Sequence, residues 1–268
     1  MINLKNYIKK KNNTLLFVIL FLLCAFIIGF VGGAFAHNLF DSDDGYGNII
    51  SEDGIKLQSA DTNAMSTSQI VALVENSVVE VETIINSSED AKTGVTSIGA
   101  GSGIVLTEDG YIVTNAHVVE NAQSIKVKLH NKSEYVAQLI GKDEKEDIAV
   151  LKIGTTGLSP VTFRNSDETK VGERVIVIGN PLGTLGGSVT DGIISAVDRI
   201  LNIDGKEMKL IQTNAEINHG NSGGGMFGEN GQFVGLIVAK SSGDDLEGLG
   251  FAIPSNTVKN VVNKLIKT

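Results

Sequence analysis

The peptide Gly220-Asn221-Ser222-Gly223-Gly224 holds the chain's strongest chemical signal. Glycines let the backbone turn sharply and aim successive N–H groups at one point, and a serine in such a turn is a candidate nucleophile. Its hydroxyl needs a base, and the tetrahedral intermediate needs donors for its oxyanion. The amides of Gly220 and Ser222 are the candidates for that role. His117 sits in YIVTNAHVV, where an apolar strand ends in small and polar residues, a setting that would hold an imidazole at a barrel rim, and Asp147 heads DIAVLK. A carboxylate there could accept the Nδ1 proton and leave Nε2 facing the serine. Singly, each has a bland alternative: a structural histidine, or an aspartate in a turn. His219 is a rival base by proximity, although three residues from the serine it reads as loop packing, and His130 in HNKS reads as a solvated turn residue.

The pattern G-x-S-x-G also fits the nucleophile elbow of α/β-hydrolases, so the motif alone does not choose a fold. Chain order does. In that fold the histidine follows the serine, and here no histidine occurs after Ser222. The order His, Asp, Ser belongs to chymotrypsin-like β-barrels.

The elements that must position these residues read as strands. GSGIVLTEDGYIVTNAHVV, SIKVKLHNKSEYVAQLIG, DIAVLKI, RVIVIGN, GGSVTDGIISAVD, KLIQTNA and GQFVGLIVAK are short and β-branched, and Asp109-Gly110, Asp204-Gly205 and Asn230-Gly231 mark turns. Ile70, Val71, Leu73, Val74 and Val78 form a short helical stripe. Val258, Val261, Val262, Leu265 and Ile266 predict a closing helix after Pro254, with Ser255 or Asn256 as its cap. The expected class is all-β, with short helices at the domain termini. Gly99-Ala100-Gly101-Ser102-Gly103 lacks a P-loop lysine and reads as close strand packing.

Composition limits the partners. The chain has 268 residues, with 22 basic against 31 acidic side chains. Lys5, Lys9, Lys10 and Lys11 precede any acid, leaving 18 bases against 31 acids beyond them, so nucleic-acid binding is not expected. One cysteine and four dispersed histidines make neither a disulfide framework nor a zinc set, and no cofactor or metal is expected. Residues 1–14 read as a basic cytoplasmic segment, and the uncharged run 15–36 as a transmembrane signal-anchor long enough for a core of ~30 Å. Ala34-Phe35-Ala36 leaves a cleaved signal as the alternative. Residues 37–67 are acidic and polar, a flexible stalk. Residues 68–268 form the expected single domain, facing outward from the membrane.

TNAHVV, DIAVLK, GNPLG with SVTDGIIS, TNAEINHGNSGGGM and GLGFAIPSN resemble, in order and spacing, the protease domain of the HtrA (DegP/DegS-like) family of trypsin-fold serine proteases. The resemblance implies a chymotrypsin/trypsin-like double β-barrel and a His117, Asp147 and Ser222 triad. It also implies endopeptidase action on unfolded or exposed protein segments outside the cytoplasm, in bacterial protein quality control or regulated proteolysis. It makes 181–190 and 240–250 activation and specificity loops, brings Glu216, Ile217 and Gly250 to substrate binding, and suggests a homotrimer.

Three departures stand out. Family members commonly carry PDZ domains after the protease domain, and the expectation here is a protease domain without one. Gly225 replaces a usual proline, and Glu216 replaces a small residue near the base of the specificity pocket. There it would either face solvent or a lysine, or favour a basic side chain before the scissile bond. Asn221 is neutral where trypsin-like zymogens pair an aspartate with a new amino terminus, so the expectation is control by exchange of loop arrangements. A non-catalytic holdase or adaptor using the same fold and a cell-surface esterase are the competing functions.

Overall fold

The computed structural model describes residues 65–85, 97–179, 188–203, 205–218, 220–238 and 249–267. The run 15–36, the stalk before Met65, His219 and most of the two loops at 181–190 and 240–250 lie outside them. Among the described residues no helix is long and apolar enough to cross a membrane.

Helix α1 (Thr67–Val74) opens with a capping box: the Ser66 hydroxyl accepts the Gln69 N–H and the Gln69 side chain accepts the Ser66 N–H. Ile70 and Val74 are buried, but Leu73 is 56% exposed and Val78 already belongs to a strand, so the expected apolar stripe is only half used.

Six strands close the first barrel: β1 (Val78–Ile85), β2 (Ser97–Val105), β3 (Tyr111–Thr114), β4 (Ala122–Lys128), β5 (Glu134–Asp143) and β6 (Ile148–Ile153). Around it they run β1-β2-β3-β6-β5-β4. The second barrel holds β7 (Arg174–Gly179), β8 (Ser188–Ile203), β9 (Lys206–Thr213), β10 (Gly225–Gly228), β11 (Phe233–Val238) and β12 (Gly250–Pro254), in the order β10-β11-β12-β9-β8-β7. Strands β1, β10 and β12 were not among the segments read as strands from the sequence.

Period-two alternation explains why several strands read as unbroken apolar runs. On β7, Val175 and Val177 point into the second barrel, while Ile176 and Ile178 point the other way into a core shared between the barrels. On β1, Val79 and Val81 fill the first barrel and Val78 faces the shared core. That core takes in Ile104, Val113 and Ile148 from one barrel and Leu210, Phe227 and Phe233 from the other, so the barrels are one folded body. The glycine run in β2 is tightly packed: a Cβ at Gly101 would lie 2.7 Å from Val118 Cγ1, and one at Gly103 2.8 Å from Ile112 Cγ2.

Helix α2 (Ser255–Lys267) lays Val258, Val261 and Val262 into the shared core. Its start differs from expectation. The Ser255 hydroxyl donates to the Arg164 carbonyl (2.6 Å), and the Asn256 N–H is met instead by the Ser166 hydroxyl (3.1 Å). The inter-barrel connection thus caps the last helix.

Candidate active site

The site lies where the barrels meet. After β3, Ala116 leads into a single 3₁₀ turn, His117–Val119, which turns the imidazole off the strand end. Opposite, the Asp143 carboxylate accepts the N–H groups of Lys145 (3.0 Å) and Glu146 (3.1 Å), shaping the turn before β6. That turn ends with Asp147 at φ 53°, a left-handed conformation that aspartate tolerates better than most residues.

Two contacts link His117 to Asp147, and a third ties Asp147 to Asn115. The His117 N–H donates to Asp147 Oδ1 (3.0 Å), and His117 Nδ1 lies 2.8 Å from Asp147 Oδ2. Asn115 Nδ2 donates to the Asp147 carbonyl (3.1 Å). An ionised carboxylate only accepts, so Nδ1 carries the proton and Nε2 is left as the acceptor. Nε2 stands 3.1 Å from Ser222 Oγ, with the side chains of His117 and Asp147 only 16% and 10% exposed. Ile203 and Met208, at the ends of the β8–β9 hairpin, line a small cavity together with Ala116, His117 and Asp147.

The serine is held by main chain. Asn221 N–H donates to Asn218 O (3.0 Å), Gly224 N–H to Asn221 O (2.8 Å) and Gly223 N–H to Ile237 O (3.0 Å). Gly220 and Gly223 have φ 95° and 79°, where glycine alone is unstrained. The first barrel reaches the same turn through Ser102: its N–H donates to Ser222 O (2.8 Å) and its hydroxyl to Gly220 O (2.7 Å). Thr114 Oγ1 donates to Ser102 O (2.7 Å). Ser102, Thr114 and Asn115 were assigned no role in the sequence. The readable signal was their polarity within strands otherwise buried and apolar, since such groups need partners.

The remaining candidates separate. Ile217 is half-buried, with its Cδ1 2.5 Å from where a Cβ at Gly250 would stand, and Gly250 pairs with Thr213. Glu216 is exposed; its carboxylate accepts from Asn218 Nδ2 (3.0 Å), and its carbonyl accepts from Thr190 Oγ1 (2.8 Å). Gly225 starts β10 with the Phe227 ring over it, which leaves no room for a side chain there. Asn221 is fully buried, and among the described residues neither polar atom of its side chain has a hydrogen-bond partner. His130 is exposed, 4.0 Å from Glu75.

Residues 101–236 match the family described as "Trypsin-like peptidase domain", half of the chain. The chain belongs to that family. This trypsin-like peptidase domain is 40% identical over 217 residues to the "Probable periplasmic serine endoprotease DegP-like" of Rickettsia prowazekii (strain Madrid E), covering 79% of this chain and 42% of the relative. It is 40% identical to the "Serine protease Do-like HtrA" of Bacillus subtilis (strain 168), covering 74% and 46%. With the "Periplasmic serine endoprotease DegP" of Escherichia coli (strain K12) it is 44% identical, covering 62% and 36%. The chain therefore spans less than half the length of these relatives. Among solved structures, "HtrA-type protease AlgW with tripeptide" superposes at a TM-score of 0.66 with 34% identity, over 75% of this chain and 64% of that one.

Proposed function

We propose that the protein is a serine endopeptidase of HtrA type, anchored in a bacterial cell membrane by residues 15–36 with the domain from about 68 to 268 on the extracytoplasmic side. The carrying observation is the relay Asp147 Oδ2, His117 Nδ1, His117 Nε2, Ser222 Oγ, with steps of 2.8 and 3.1 Å in a trypsin-like domain. Ser222 Oγ attacks the peptide carbonyl as His117 Nε2 takes its proton. The Gly220 and Ser222 N–H groups receive the oxyanion, and Asp147 holds the imidazolium. Nε2 then returns the proton to the departing amine. Water repeats the sequence on the acyl-enzyme and regenerates Ser222.

Ile217 and Gly250 serve in this reading as substrate-pocket residues, with Glu216 at the pocket's edge. The substrates are unfolded or exposed protein segments. The name of the AlgW structure, which includes a tripeptide, supports a peptide-binding cleft of this kind, and a trimer is proposed from the sequence resemblance alone.

The test is labelling of the full-length chain with a fluorophosphonate probe, with casein turnover measured in parallel. Wild type labels and cleaves casein, while Ser222→Ala and His117→Ala do neither. An unlabelled wild type, or one in which Ser222→Ala still labels, defeats the assignment, and labelling without casein turnover would favour an esterase.

A further inference from the structure

An oxyanion donor is useful only if its N–H is aimed before charge develops. Gly220 poses a problem here, because a glycine at φ 95° has no Cβ to restrict it and can swivel at little cost. Its carbonyl side is nevertheless held at both ends of one peptide plane: Asn221 N–H is bound to Asn218 O (3.0 Å) and Gly220 O is bound by the Ser102 hydroxyl (2.7 Å).

The second restraint comes from the other barrel. Ser102 is wholly buried on β2 and is itself immobilised, its N–H on Ser222 O and its carbonyl under Thr114 Oγ1. One residue thus grips the serine turn on both sides of Asn221, at Gly220 and at Ser222.

We propose that Ser102 is a positioning residue for the reaction, its hydroxyl holding the carbonyl side of Gly220 and so restraining rotation about its Cα, from which the oxyanion donor projects. This rests on the serine-protease reading above. Ser102 acts through Gly220 rather than as a catalytic residue. Its loss therefore slows the chemical step and leaves ground-state binding of substrate alone.

The experiment compares Ser102→Thr with Ser102→Val in the full-length chain. Both place the same bulk at 102, and only threonine keeps the donor. With fluorescein-labelled casein, the valine variant should show kcat about tenfold below the threonine variant at similar KM. Fluorophosphonate labelling should slow in proportion, because the phosphoryl oxygen occupies the oxyanion position. Equal kcat for the two variants, or a difference carried by KM, overturns the proposal. Wild type inert toward both reagents would instead overturn the protease reading, so the two failures are distinguishable.

Discussion

The two barrels bring their parts of the site into place by different means. The first barrel holds the histidine and aspartate with side chains: the Asp143 carboxylate shapes the turn, the Asp147 carboxylate takes the His117 N–H, and the Asn115 amide holds the Asp147 carbonyl. The second holds the serine with backbone, through Gly223 and Gly224 N–H groups and two glycines at positive φ. In the proposed reaction the contrast follows from the tasks. An imidazole must be held in one tautomer and rotation, which needs a charged acceptor on one nitrogen. A nucleophile turn must crowd several N–H groups together, which only an unbranched backbone permits.

The largest effect expected from breaking this contrast is at Asp147. Asparagine tolerates the same left-handed backbone, so Asp147→Asn should leave the fold intact but supply the wrong partner to Nδ1. Steady-state kinetics should show kcat lower by about 10⁴ with an unchanged melting temperature. An activity loss matched by unfolding would mean that the carboxylate builds the turn rather than orienting the ring.

At Gly223 the balance should reverse. A methyl group there would run into Ser102 O and Thr114 Oγ1 at φ 79°. Gly223→Ala should therefore cost about 3 kcal/mol in denaturant unfolding along with activity. Unchanged stability would show that the turn can relax away from the first barrel.

Legibility in the sequence divides along the same line. The β-branched runs and Asp-Gly or Asn-Gly turns made most strands readable, because alternation and punctuation are local. GMFG and GFAIP escaped as β10 and β12, being short and rich in glycine or ending in proline, and β1 was hidden behind a helical stripe. His117 and Asp147 stood out because each sits where apolar strand meets polar turn, and Ser222 because glycines surround it. Ser102 did not, since its partner is 118 residues away and only the docking of two barrels creates the contact. The cap of the last helix was misread for the same reason: Ser166 lies in a distant connection.

The smallest expected effect is on stability alone. Glu80, on β1 opposite Ser102, is 1% exposed; among the described residues its Oε2 lacks a hydrogen-bond partner, and Lys128 Nζ stands 3.9 Å away. Burial raises its pKa above the ordinary 4.5, outweighing the lowering by Lys128, Lys132 and Lys126, while Glu82 adds to the rise. A raised carboxyl pKa favours the fold below 4.5, and that advantage fades as pH climbs through the folded value. Glu80→Gln should therefore melt higher than wild type at pH 7.5, and the gap should close toward pH 4.5. A gap constant with pH would mean that packing, not charge, sets the difference.

The grip of Ser102 on the serine turn has a consequence for the chain's own safety. His117 and Ser222 are 105 residues apart in sequence, and the turn between Gly220 and Ser222 leans on a strand of the opposite barrel. Contacts of such separation form late, after the loop-closure entropy has been met. A newly made or partly unfolded copy holds either a relay without a nucleophile or a serine without its base. In the reading proposed above, peptide-bond cleavage is thus withheld until both barrels have folded and docked.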